Sequence, residues 1–466
     1  MSFRVEPTAV RSTSRQASLL RCFGTSVCSA YKHYLPSLLV LSKLKANSLL
    51  SGSAVYLVSN ILNAAIPFAL LPVLTHYLSP GEYGEVAMFQ ALLGALGAFV
   101  GLSVAGAAGR KHYDEHLGEG ELRHFVAACL QILLASGGLA FVLVFAFKEQ
   151  LGAWLGLKTE WILWAVFVAA ASVVVQLRLV QWQVRKEARR YGALQISQSA
   201  LNMLLSLLLV VLLREGSGGR ISAQVWTAGI FAVLGLVLLQ RDGLLSFLAW
   251  RPAYLEEIVK SRVPLIPHIA GVFLLTSVDR FVINAELGLA EAGIYMVAVQ
   301  LAGAIGLVFD AINKAYVPWL FERLKRNVCD EKRQIVRYTY AWFIVILLGA
   351  CLVFLIGPWL VTYVAGEKFA QAGEFIGWLA LGQAFGGMYL MVTNYAIYSK
   401  RTGLLSLATI SSGLINVALL VVLIRLLGLK GAAIAFSISM AIRFLLTWWV
   451  AQHRHPMPWF NLKVQK

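Results

Sequence analysis

The sequence predicts an all-α polytopic membrane protein with about 12 transmembrane helices. Three observations carry that reading. Apolar stretches long enough to cross a bilayer recur along the chain, and a spanning helix needs about 20 such residues. Of the 466 residues, 59% are hydrophobic and 14% charged, well below the roughly 25% charge of soluble domains, and the mean hydropathy is +0.72. Finally, Lys and Arg gather on alternate connections. Backbone polar groups in lipid must be satisfied internally, so such stretches are read as helices.

In order, the spans are read as 51–74, 84–105, 125–147, 161–182, 193–213, 222–239, 264–286, 294–313, 338–358, 375–397, 403–424 and 432–450. Thirty of the 40 Lys and Arg lie on the two tails and on the connections after the even-numbered spans, against six on the other connections. Cytoplasmic loops carry the excess of positive charge, which places both termini in the cytoplasm of a multi-pass protein. A bacterial cytoplasmic (inner) membrane is the expected location. The net charge of +17 is therefore read as an orientation signal, not as a nucleic-acid-binding surface. The cluster Arg185, Lys186, Arg189 and Arg190 holds its loop inside.

The five cysteines (Cys22, Cys28, Cys129, Cys329, Cys351) avoid the external connections and show no metal-ligand spacing, so neither a disulfide framework nor a metal site is expected. Walker A, HExxH and Gly-rich phosphate-loop motifs are absent from the sequence. No cofactor and no enzymatic activity are expected.

The chain divides into a basic cytoplasmic tail (1–48), a first six-helix bundle (49–239), an interfacial linker helix (240–263), a second six-helix bundle (264–450) and a cytoplasmic tail (451–466). A repeat supports the division. Leu78-Ser79-Pro80-Gly81-Glu82-Tyr83-Gly84 follows span 1, and Leu287-Gly288-Leu289-Ala290-Glu291-Ala292-Gly293 follows span 7. Leu, Glu and Gly match at a constant offset of 209 residues, and Gln90 and Gln300 follow shortly after. Six spans return the chain to its starting side, so the halves are parallel repeats, and transporters built that way handle substrate at the interface between repeats. The linker interleaves Leu244, Leu245, Trp250, Tyr254, Leu255 and Ile258 with charged residues, as an interfacial helix does. Pro264 and Pro267 open span 7 with a kink. Gly94, Gly97 and Gly101 in span 2 have the spacing that permits close helix packing.

Charge at membrane depth costs roughly 2.5–3.5 kcal/mol on insertion scales and faces a partner or a cavity. Asp279 and Arg280 in span 7, Arg443 in span 12, Asp310 in span 8 and Arg178 in span 4 are such residues. Neighbours on a helix point about 100° apart, so Asp279 and Arg280 are not expected to pair with each other. An ion pair between spans, such as Asp279 with Arg443, and a cavity role stay equally open, and Arg178 could equally snorkel to headgroups. Amides recur on the spans, among them Asn60, Asn63, Gln90, Gln195, Gln198 and Asn202. An amide-lined cavity with a few arginines suits a polar, anionic substrate such as a phosphate linked to sugars, because the arginine fork grips phosphate at two points.

Tyr254-Leu255-Glu256-Glu257-Ile258-Val259-Lys260, Val263-Pro264-Leu265-Ile266-Pro267, Ser277-Val278-Asp279-Arg280-Phe281-Val282-Ile283 and Ala292-Gly293-Ile294-Tyr295 together resemble the polysaccharide-repeat flippases, the Wzx-type O-antigen and exopolysaccharide translocases of the multidrug/oligosaccharidyl-lipid/polysaccharide exporter superfamily. The turn at 78–84 and the loop Arg185–Tyr191 are similar to theirs. The resemblance spans about residues 50–450 and implies two six-helix bundles around a central cavity, with alternating access. Its implied substrate is an undecaprenyl-diphosphate-linked oligosaccharide, moved from the inner to the outer leaflet. Arg280, Arg443 and Arg178 would attract the diphosphate, Asn60 and Gln90 would meet sugars, and Asp279 or Asp310 would balance charge or carry a coupling proton. Partners would be the lipid-linked oligosaccharide, membrane lipids and polysaccharide polymerase machinery, with no nucleic acid. The rival readings are a cation-coupled drug exporter of the same superfamily, a lipid II flippase, and a membrane-embedded polymerase or ligase.

Overall fold

A computed structural model describes residues 55–56, 58–114, 119–246, 249–399 and 403–459. The basic tail 1–48, with Cys22 and Cys28, lies outside them, as do residues 460–466 of the second tail. Residues 1–58 form one unit and 59–466 another. Within the first, Val55, Tyr56 and Val58 are helical.

The second unit is built of helices throughout. They are α1 (Val58–Tyr77, which begins one residue before the unit), α2 (Pro80–Phe99), α3 (Val104–Lys111), α4 (Glu119–Ala146), α5 (Lys148–Leu155), α6 (Thr159–Val184), α7 (Ala188–Leu207), α8 (Gly216–Arg241), α9 (Pro252–Arg262), α10 (Ile266–Thr276), α11 (Val278–Glu286), α12 (Leu289–Arg326), α13 (Cys329–Ala365), α14 (Ile376–Tyr398) and α15 (Gly403–Arg454). Eleven helices among the described residues are long and apolar enough to cross a membrane. One of them crosses twice. At 1.5 Å per residue the 52 residues of α15 would reach about 78 Å, more than twice a hydrocarbon core of about 30 Å. The helix turns back at Gly428, whose φ of 59° and ψ of −140° are open to glycine. Twelve crossings result, in the two bundles expected.

Several boundaries follow local chemistry. Ser79 and Glu82 cap α2 reciprocally: Glu82 N–H donates to Ser79 Oγ at 3.3 Å, and Ser79 N–H donates to Glu82 Oε2 at 2.8 Å. Span 2 is not one straight helix. Gly101 (φ 73°), Leu102 and Ser103 are left-handed, which separates α2 from α3, and Ser136 Oγ accepts the freed Gly101 N–H at 2.8 Å. Of the small-residue stripe, Gly94 packs against Phe273 and Ser277 and Gly101 lies against Val173 at the break, whereas a Cβ at Gly97 would meet nothing within 4 Å. Among the described residues between Arg241 and Val263, the linker is helical over α9. It runs through a 3₁₀ turn at Val263–Leu265 into α10, with Pro264 in the turn.

The three largest of five apolar cores among the described residues hold most of the unit together. Phe89, Phe125, Ile162 and Leu177 belong to the first, formed mainly by α2, α4 and α6. Leu71, Tyr83, Tyr295, Phe369 and Phe375 belong to the second, which joins α1 and α2 to α12 and the start of α14. Val336, Phe343, Tyr395 and Phe444 belong to the third, in α13, α14 and α15. The connections following odd-numbered spans lie at one end, called here the turn end because it holds both repeated turns.

Candidate functional site

The repeated turns meet. Gly84 in the first turn of α2 lies so close to α12 that a Cβ there would stand 1.9 Å from the Leu289 carbonyl oxygen. Gly293 in α12 repeats the contact: a Cβ there would stand 2.1 Å from the Pro80 carbonyl oxygen. Residues 80 and 289, and 84 and 293, are equivalent at the 209-residue offset, so the contact is reciprocal. The bare glycines let two helix N-termini touch backbone to backbone. Around them Tyr83 Oη donates to Gln300 Oε1 at 2.9 Å, and Gln300 Nε2 donates to the Pro67 carbonyl at 2.7 Å. Lys368 Nζ donates to the His76 carbonyl at 3.1 Å and Asn284 Nδ2 to the Trp154 carbonyl at 3.0 Å. The turn end is thus closed by contacts between the halves.

Away from that end, polar side chains are tied within each half. Asn60 Oδ1 in α1 accepts from Gln195 Nε2 of α7 at 3.2 Å and from Tyr191 Oη at 3.4 Å. Asn63 accepts from Ser199 of the same pair of helices. In the second half, Asn394 Nδ2 of α14 donates to Asn313 Oδ1 of α12 at 2.8 Å. Asp310 pairs with Lys314 one turn on, at 2.5 Å, and both side chains are exposed. Lys314 is close enough to Tyr191 to act on it electrostatically, although one belongs to α12 and the other to α7. Exposed charge on a spanning helix faces water, not lipid. Gln90 is half-buried in α2.

The deep charges sort into paired and unpaired. Asp279 and Arg280 are both buried, and they pair: Arg280 Nη1 reaches Asp279 Oδ1 at 2.8 Å. The expectation that neighbours cannot meet assumed an unbroken helix. The chain breaks at Ser277 (φ −140°, ψ −21°), so Asp279 sits in the first turn of α11. Arg280 N–H donates to Asp279 Oδ1 at 3.0 Å, and the Thr276 carbonyl accepts from the guanidinium instead of from a helical N–H. The same pairing settles against Asp279 with Arg443. Trp154 stacks on Phe281 at 5.5 Å, clamping this short helix.

Arg178 is 1% exposed and forms an ion pair with Asp242 at the end of α8, at 2.5 Å, with its guanidinium over the Trp182 ring. Arg185 joins the same carboxylate at 3.4 Å. Arg178 is anchored inside the protein and does not snorkel. Arg443 differs. It is buried in α15, its guanidinium lies over the Tyr389 ring at 3.9 Å, and its Nε has no hydrogen-bond partner. No carboxylate pairs with it among the described residues. The charged neighbour acting on His268 of α10 is Arg443 itself, and His268 Nδ1 is also buried without a partner. Arg443, Tyr389 and His268 come together between α10, α14 and α15.

Sequence reasoning missed His268, Asp242, Lys314 and the contact role of Gly84 and Gly293. The repeat had already marked both glycines, and a histidine inside an apolar span marked His268. No cluster of metal-ligating side chains occurs among the described residues, and Cys129, Cys329 and Cys351 are free thiols.

A twelve-crossing bundle pair with one end closed between its halves and charge buried within it defines a multi-pass membrane protein. The chain belongs to the family described as polysaccharide biosynthesis protein, whose model matches residues 49–324. It is 27% identical over 374 residues to an uncharacterized membrane protein of Haemophilus influenzae, covering 79% of this chain and 88% of that one. It is 21% identical over 411 residues to "Probable low-salt glycan biosynthesis flippase Agl15" of Haloferax volcanii, covering 84% and 80%. Among solved structures, the lipid II flippase MurJ superposes with a TM-score of 0.68 at 16% identity, over 86% of this chain and 87% of that one. The multidrug transporter DinF-BH superposes with a TM-score of 0.63 at 16% identity, over 89% and 97%. The polysaccharide-biosynthesis family and the all-helical two-bundle fold inferred from the sequence are borne out.

Proposed function

We propose that the protein is a flippase that moves an oligosaccharide linked to undecaprenyl diphosphate from the inner to the outer leaflet of the cytoplasmic membrane, for surface polysaccharide synthesis. The observation that carries the reading is the asymmetry between the two ends. The turn end is closed backbone to backbone, while Asn60 of one half and Asp310 and Lys314 of the other are exposed away from it. The excess of Lys and Arg on the other connections supports reading the turn end as external, and in this reading the conformation is open to the inner leaflet.

In this reading Arg443, uncompensated and flanked by His268, meets the diphosphate, because a buried cation without a counter-charge is stabilised by an incoming anion. Asp279 balances Arg280 until the halves rearrange, and Arg178 holds α6 to α8. Asn60, Gln90 and their amide neighbours meet the sugars, and Asp310 with Lys314 sits at the mouth. The polyprenyl chain stays in lipid.

The test is a deletion strain, with surface polysaccharide on a gel beside the lipid-linked oligosaccharides of the inner membrane. Loss of polymer with repeat units accumulating on the cytoplasmic face is the expected result. Normal polysaccharide with altered drug sensitivity would make the protein an exporter. Lost polymer with repeat units already facing outward would make it a polymerase or ligase.

A further inference from the structure

Arg262 is the last residue of α9, at the point where the linker bends into span 7. It is 6% exposed, and its Nε and Nη2 are buried without a hydrogen-bond partner. The guanidinium rests on Gly106 of α3: a Cβ there would lie 3.1 Å from Nη1 and 3.3 Å from Nη2. The bare backbone at that position admits it.

The charged neighbour that acts on it most strongly is of the same sign. Arg110 stands one turn beyond Gly106 on the same face of α3 and acts on Arg262 electrostatically. Nearby acids are engaged elsewhere. Lys111 Nζ takes Asp114 at 2.8 Å and Glu257 at 3.1 Å. Among the described residues, neither guanidinium has a carboxylate partner. A buried, unpaired cation is strongly unfavourable, and a phosphate that meets both forks removes the penalty.

The surroundings indicate how that phosphate arrives. Gly106 and Arg110 are exposed, so the group opens to the surface. Directly after Arg262, Val263, Pro264 and Leu265 are exposed and apolar, leading along the membrane from the arginines. The pattern is a headgroup pocket with an acyl track. Basic pockets between spanning helices on the cytoplasmic side take anionic lipid headgroups.

We propose that the junction of α3 with α9 binds the phosphate of an anionic membrane phospholipid, gripped between Arg110 and Arg262. Such a lipid ties the linker to the first half at the hinge of span 7, and its removal frees that hinge.

The full chain, purified in neutral detergent, is titrated with dioctanoyl phosphatidylglycerol, dioctanoyl phosphatidylcholine or inorganic phosphate. Adducts are counted by native mass spectrometry. Binding of phosphatidylglycerol at least about tenfold tighter than phosphatidylcholine is expected, with the preference lost in Arg262→Gln and weakened about threefold or more in Arg110→Gln. Arg262→Gln is expected to melt higher than wild type in neutral detergent, since it removes a lone buried charge, so lost binding is not lost folding. Arg110 is exposed, and its variant keeps the test open if Arg262→Gln fails to fold. Equal binding of the two lipids by wild type, or an unchanged preference in both variants, overturns the proposal. Inorganic phosphate saturating the site as tightly as phosphatidylglycerol overturns the lipid as ligand.

Discussion

The two ends of the bundle pair are held by different chemistry. At the turn end, the halves touch through Gly84 and Gly293 and through four hydrogen bonds that cross between them. Away from it, the polar pairs Asn60–Gln195, Asn63–Ser199, Arg178–Asp242 and Asn313–Asn394 each stay inside one half. The first arrangement closes a seam that can separate. The second keeps each bundle rigid while the seam moves. A closure made of backbone contact, apolar packing, neutral hydrogen bonds and the exposed Lys368 ammonium leaves no buried charge stranded when it opens, whereas a buried ion pair broken there would.

The comparison can be broken experimentally, and the largest effect is expected just beneath the seam. Asp279→Ala leaves Arg280 buried and unpaired, at a cost of about 3–5 kcal/mol. The folded yield and melting temperature should fall sharply, and the double variant Asp279→Ala with Arg280→Ala should recover much of the loss, a coupling that a double-mutant cycle measures.

Next come the glycines. A methyl at Gly84 or Gly293 must push a carbonyl aside, and overpacking of this kind costs roughly 1–3 kcal/mol. The cost falls on the closed seam and not on either bundle. Gly84→Ala and Gly293→Ala should therefore reduce transport by about tenfold or more with a nearly unchanged melting temperature, since 1.36 kcal/mol is a factor of ten. A comparable loss of melting temperature in both would mean that the contact is part of the folding core.

Arg443→Ala should separate function from stability in the opposite sense to Asp279→Ala. No carboxylate is orphaned, and the lost cation–π contact is worth about 0.5–2 kcal/mol. Transport of a diphosphate-linked substrate should disappear in a folded protein. The smallest effect belongs to Asn63→Ala, which removes one neutral hydrogen bond of about 1 kcal/mol within the first half. Thermal melting should register it and transport should not.

Much of this was legible in the sequence because hydropathy reports crossings directly. The twelve spans and the repeat of residues 78–84 at 287–293 could be read without any contact information. What could not be read depended on breaks without a breaker. Ser277 carries no proline or glycine signal, yet the chain turns there and brings neighbours Asp279 and Arg280 into one ion pair. Asp242 is 64 residues from Arg178, so only packing joins them. Gly101 was read as a packing glycine because its spacing fits one; its positive φ is set by tertiary structure.

The central claim is that the Gly84–Gly293 seam opens during transport. Spin labels at Gly81→Cys and Leu287→Cys, in a cysteine-free background, report the separation across it by pulsed electron resonance. Addition of lipid-linked oligosaccharide is predicted to shift the distance distribution from a short, narrow one to a longer one. A single unchanged distribution with and without substrate, in protein that transports, would contradict the account.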